Sequence, residues 1–140
     1  MPFFMHCQSI YRDSRIQEVE LAKLSSLFAH SNERFMWKVL PTMRDQGMYY
    51  PLAVCKIDEK LFNNQYTGNI QPNIVVNEDG LIWAIKMGSN RYDAALHLGY
   101  KSIDVIIHPT LNDCVTWDRY FQYENPLFNK NPAPYEGKFY

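Results

Sequence analysis

Along this chain the apolar residues recur at two spacings, and the change from one to the other marks out its elements. From Ser14 to His30 (SRIQEVELAKLSSLFAH), Ile16, Val19, Leu21, Leu24, Leu27 and Phe28 fall mostly at three- and four-residue steps. That spacing predicts a helix with one apolar face, Ser14 as its N-cap and Glu18 in its first turn. A second helix is predicted over Glu33 to Val39, and a short third over Thr42 to Gln46. Gly47 follows at the position where a helix C-terminus favours glycine. Leu52 to Ile57 (LAVCKI) is rich in β-formers and reads as a strand. Asp58 to Asn73 is polar, with Asn63-Asn64, Gly68 and Pro72, and reads as a loop. Ile74 to Val76 predicts a short strand that turns at Asn77 to Gly80 into a second one, Leu81 to Lys86, with Asp79-Gly80 as the hairpin signal. Met87 to Asn90 leads into a helix, Arg91 to Leu98, which Gly99 closes. Ile103 to Ile107 (IDVII) is nearly all apolar and predicts a strand buried on both faces. Val115 to Tyr123 predicts a helix with an aromatic face. After Glu124 the Pro- and Asn-rich remainder reads as an extended arm, wrapped on the domain or disordered.

This order of elements predicts an α+β fold, a small mixed β-sheet packed with helices, followed by an extended C-terminal arm. The expected division is a domain over residues 1–111 and an aromatic helix and arm over 112–140. The 140 residues fit one domain, and 46% hydrophobic residues suffice for a core. No internal repeat or low-complexity block interrupts it. A net charge of −1 speaks against a dedicated duplex binder, while a local basic patch stays open. No apolar run is long enough to span a bilayer and the N-terminus carries no signal-peptide pattern, so a soluble, cytoplasmic protein is expected. Cys7, Cys55 and Cys114 are widely spaced and form no CxxC or Cys/His cluster, which argues against disulfides and structural zinc. No metal ligands are assigned; the adjacent His6-Cys7 pair reads as a packed N-terminal segment.

Candidate chemistry concentrates between Ile82 and Ile107. A strand enters a glycine turn and a helix starts at once, so the first N–H groups of that helix lack intrahelical partners and carry the positive end of its dipole. Such a turn binds anions, phosphate above all. Gly88 permits close approach, Ser89 or Asn90 caps the helix or donates to an oxyanion, and Arg91 supplies a bidentate donor. The competing reading is a capped helix whose Arg91 meets solvent or a carboxylate. Lys86, at the end of the preceding strand, either reaches the phosphate or points outward.

The succession strand, Gly88-x-x-Arg91, Ala94-Ala95-x-x-x-Gly99-Tyr100 and Ile103-x-Val105-Ile106-Ile107 resembles the ParB N-terminal/sulfiredoxin superfamily. ParB members carry Gly-Glu-Arg-Arg at this turn and sulfiredoxins carry Gly-Cys-His-Arg, so Gly88 and Arg91 match the outer positions of both. Upstream, Met43 to Val54 (MRDQGMYYPLAV) resembles the first family signature, a short helix ending in glycine and then a proline that enters a strand. The resemblance covers about Val39 to Ile107. It implies a ParB/sulfiredoxin-like fold and a nucleotide or phosphate site at Gly88, Ser89, Asn90 and Arg91, with Gly47 and Pro51 on the other side and Mg²⁺ accompanying the nucleotide. Members include CTP-dependent DNA clamps, ATP-using reductases of oxidised cysteine, a free-serine kinase and proteins labelled nucleases. Ser89 stands at the sulfiredoxin cysteine, which speaks against sulfinic-acid reduction. Ser89 and Asn90 replace the Glu and first Arg of ParB, and Tyr50 stands where ParB usually has glutamine, which speaks against CTP. The residues after Ile107 are too few for the helix-turn-helix and dimerisation domains of ParB.

Two carboxylates are candidate catalytic groups. Asp93, early in the helix, would act as a base or hold Mg²⁺, unless the helix dipole alone explains it. Glu78, in the hairpin turn, is the second. The leading expectation is a ParB-like domain that binds a nucleotide or related phosphate and hydrolyses or transfers it. The alternative is a non-catalytic protein-interaction module of phage or mobile-element type, associating with a partner or itself through the arm. Third is a DNA-directed nuclease. Tail aromatics such as Trp117 and Phe121 either stack on single-stranded nucleic acid or cover a core.

Overall fold

The structure is a computed structural model and describes residues 6–28, 33–66 and 74–123. Its centre is the strand β6 (Ser102–His108), with partners along both edges. β4 (Leu52–Ile57) runs parallel to its second half, Leu52 opposite Val105 and Cys55 opposite His108. β1 (His6–Cys7) runs parallel to its first two residues, and β2 (Gln17–Glu20) lies antiparallel along Ser102 to Val105. β5 (Ile82–Ile85) is antiparallel to β4, and β3 (Leu24–Ser26) is parallel to β5, giving the order β1-β6-β4-β5-β3 with β2 also on β6. Among the described residues, four helices complete the α+β fold: α1 (Glu33–Gln46), α2 (Glu59–Gln65), α3 (Ser89–His97) and α4 (Leu111–Tyr123).

The apolar residues of β4 divide between two cores, as period-two alternation requires, and Ile103 and Val105 of β6 join the first. Leu52, Val54, Ile103 and Val105 join Met43 of α1 and Ala94 and Ala95 of α3. Ala53, Cys55 and Ile57 join Phe62 of α2 and Cys114 of α4. Ala94 and Ala95 are fully enclosed, and α1 and α3 are neighbours on the first face.

Several elements differ from the sequence expectation. The stretch predicted as a helix from Ser14 to His30 is β2, a 3-10 turn (Leu21–Lys23) and β3. Leu21, Leu24 and Leu27 are spaced like a helical stripe, yet Leu21 is buried from the 3-10 turn, Leu24 from β3 and Leu27 from the chain just after β3. Pairing with β6 and β5 outweighs a weak local preference, because a free strand edge leaves backbone donors and acceptors unmatched. The two helices expected over Glu33–Val39 and Thr42–Gln46 are one, α1, which runs through Pro41 and ends at Gly47 (φ 82°). The loop expected from Asp58 contains α2; Asp58 caps it by accepting from the Leu61 N–H at 2.7 Å, and Phe62 anchors it. The strand expected over Ile74–Val76 reduces to a single bridge between Val76 and Ile82. α4 begins at Leu111, and its buried Cys114, Asp118 and Phe121 join it to the domain, while the expected arm from 124 lies outside the described residues.

Asp104 on β6 has no exposed surface, and burying a lone carboxylate costs several kcal/mol. Here Ser9 donates its N–H at 2.8 Å and its hydroxyl at 3.1 Å, His6 donates Nε2–H at 2.8 Å, and Arg12 pairs with the same carboxylate. The N-terminal segment is thereby fixed across the start of β6.

At the other end of β6, His108 is 8% exposed and packs on the Trp117 ring, with 5.5 Å between centroids. Burial, then the positive charge of Arg15, push its pKa below the ordinary 6.5. The unfolded chain therefore binds this proton first on acidification, and stability falls as pH drops from 6.5 towards the lowered folded value. Urea unfolding followed across that window should show His108→Gln losing part of the slope; an unchanged slope would remove His108 as its source.

Candidate functional site

The turn after β5 is set by Gly88, which occupies the left-handed region at φ 103° and serves as the N-cap of α3. A side chain at this position would place its Cβ 2.9 Å from Leu52 Cδ2 and 3.2 Å from Arg91 Nη2, so glycine is required by both backbone and space. Glycine brings no capping group, and α3 has no side-chain cap hydrogen bond. The first turn of α3 lines a cleft of about 390 Å³, together with Phe28, Lys86 and Asp118 among others, and a helix start directs its first N–H groups away from the helix body. Asn90 Oδ1 is buried there and has no hydrogen-bond partner among the described residues.

Arg91 is held from two sides. Nη1 donates to the Tyr50 carbonyl at 2.5 Å, Nη2 donates to Asp118 Oδ1 at 3.3 Å, and the guanidinium lies 4.0 Å above the Tyr50 ring. The Tyr50 hydroxyl donates to the same Asp118 oxygen at 3.0 Å. Arg91 and Asp118 side chains are 13% and 3% exposed, so this is a largely desolvated ion pair that joins α3, the entry to β4 and α4. The carboxylate anticipated as an alternative partner of Arg91 is therefore Asp118. Sequence reading missed Asp118 because the surrounding aromatics dominate Val115 to Tyr123. Its signal was spacing: a carboxylate flanked by Cys114, Trp117 and Phe121 on one helical face needs a cation or donors.

The remaining candidates scatter. Lys86 lines the cleft and donates to Gln65 Oε1 at 2.9 Å. Gly47 lines an adjoining apolar pocket of about 200 Å³ with Met43, Met48, Tyr49, Tyr50 and Arg91, whereas Pro51 is buried immediately before β4 and lines neither. Asp93 is partly exposed one turn into α3 and does not line the cleft. Glu78 is exposed in the turn at the opposite end of β5, so it is not brought to Gly88.

Buried thiols contribute nothing reactive here. Desolvation pushes Cys7 up to about 11 and Cys114 up to about 12, and raises Cys55 as well, so all three stay protonated at neutral pH.

No protein-family model matches the chain, and no curated protein matches it. Among solved structures, sulfiredoxin from Arabidopsis thaliana is similar, at 17% identity and a TM-score of 0.44, over 71% of this chain and 91% of that one. The fold described above rests on the pairing and packing of this chain itself.

Gly88→Ala is expected to destabilise the protein by about 2–4 kcal/mol, combining left-handed strain with the clash on Leu52. Gly47→Ala (φ 82°, nothing within 4 Å of the added Cβ) should cost only the strain, about 1–2 kcal/mol. Equal losses in chemical denaturation would show that the contact with Leu52 does not constrain the turn.

Proposed function

We propose that this protein binds a phosphate-bearing ligand, a nucleotide in the first instance, in the cleft at the start of α3. The observation that supports this most is the uncapped first turn of α3 opening onto that cleft beside Lys86. The amides of a helix start and the helix dipole favour an anion there, and Lys86, held by Gln65, adds a positive charge to the lining. The adjoining apolar pocket shares Val39, Tyr50 and Arg91 with the cleft, so a ligand with a phosphate and a flat ring would fill both. Mg²⁺ would accompany a polyphosphate. Hydrolysis or transfer would need a base, and among the described residues Asp118 is the carboxylate that lines the cleft.

The pairing of Arg91 with Asp118 favours a second reading. With that charge neutralised internally, Lys86 is the cation of the cleft lining without an ion pair among the described residues, which suits a non-catalytic interaction module with the turn as a structural cap. The nuclease reading gains least, because two-metal cleavage needs several carboxylates around one pocket.

Thermal-shift titration with ATP, ADP, CTP, GTP and pyrophosphate, each with Mg²⁺, separates these readings. Ligand at a hundredfold its Kd stabilises the native state by about 2.7 kcal/mol, which moves the melting temperature measurably. Lys86→Ala should weaken the shift, and Asp118→Asn, which frees the guanidinium from its internal anion, should strengthen binding about tenfold. No shift with any of these compounds, in the wild type or in Asp118→Asn, would discard the phosphate site and leave the interaction module.

A further inference from the structure

A second group of polar side chains lies outside this cleft, at the start of β6. The parallel register of β1 and β6 sets His6 beside Ser102. Asp104, two residues further along β6, projects from the same face as Ser102. The His6 ring bridges them: Nδ1 lies 2.7 Å from Ser102 Oγ and Nε2 lies 2.8 Å from Asp104 Oδ1. An ionised carboxylate has no proton to give, so Nε2 carries the hydrogen and Nδ1 presents its lone pair to the serine hydroxyl. That is the tautomer a general base requires. Asp104 is itself held by Ser9 and Arg12, which fixes the ring it orients. The His6 side chain is 21% exposed and Ser102 is partly exposed, so the pair reaches solvent while Asp104 does not.

We propose that Ser102 is an activated nucleophile, with His6 as its general base and Asp104 as the positioning residue, and that the trio accepts small acyl or phosphonyl esters. As Ser102 Oγ bonds the acyl carbon, its proton passes to His6 Nδ1. The same proton goes to the departing alkoxide as the ester C–O bond breaks, leaving acyl-Ser102. Water then repeats the sequence, releases the carboxylic acid and restores the hydroxyl. The serine and the base would contact substrate; Asp104 acts through the imidazole.

The test uses the full chain with a fluorophosphonate probe and, separately, p-nitrophenyl acetate. Mass spectrometry of the labelled protein should place one phosphonyl adduct on Ser102. Ser102→Ala should abolish the adduct and lower ester hydrolysis at least about tenfold, with the melting temperature unchanged. His6→Gln, which keeps a polar side chain but no base, should lose labelling as well. If Ser102→Ala unfolds, the site of the wild-type adduct decides alone. An adduct elsewhere, no adduct, or hydrolysis unchanged in folded Ser102→Ala overturns the proposal and leaves the cluster as a structural clasp; labelling that persists in His6→Gln overturns the role of His6.

Discussion

A strand hydrogen-bonded along both edges must find partners for both, and this constraint on β6 organises the chain. β4 takes one edge of its second half, β1 extends that edge, and β2 takes the other. Three of these partners come from distant stretches of sequence, so the sheet closes only when the N-terminal segment returns to residues about a hundred positions away. The buried Asp104 makes this return specific. Without His6, Ser9 and Arg12 around it, an ionised group would sit in the core with little compensation. Chain entry, strand register and the face given to each helix follow from that one pairing pattern.

The ion pair of Arg91 with Asp118 does for the helices what Asp104 does for the strands. Through Tyr50 it ties α3 to the entry of β4 and to α4. Tyr50 also stacks on Phe121, whose ring meets Trp117 and Tyr11, so the charged node rests on an aromatic floor. A cleft bounded by such a node has walls set by three separate elements. Any ligand that takes the guanidinium must compete with a carboxylate already in place.

How much of this was legible follows from where the signals are local. The strand Leu52–Ile57 and the glycine turn at Gly88 are written in residues next to one another and lie where their patterns indicate, while the helix after them starts at Ser89, not Arg91, so Ser89 and Asn90 lie within it and do not cap it. The stretch from Ser14 failed because Leu21, Leu24 and Leu27 satisfy a helical spacing while the chain there is split into β2, a 3-10 turn and β3, and the two strands pair far along the chain. α2 was hidden by Asn63, Asn64 and Gln65, although the Asp58 cap and the apolar Leu61-Phe62 pair were visible. At the candidate site, Gly88 and Lys86 were readable from their place in the turn. The capture of Arg91 by Asp118 was not, because it depends on how α4 returns across the sheet. His6 and Ser102 were separated by too much chain to be read as one group.

The three cysteines carry a consequence of a different kind. Each is enclosed, and those at 7 and 114 would need strongly alkaline conditions to ionise while the fold is intact. An alkylating reagent that reacts with thiolates therefore meets them only when the sheet opens. While such a reagent is present, each opening that exposes a thiol leaves a covalent mark on sulfur, at Cys7 of β1, Cys55 of β4 or Cys114 of α4.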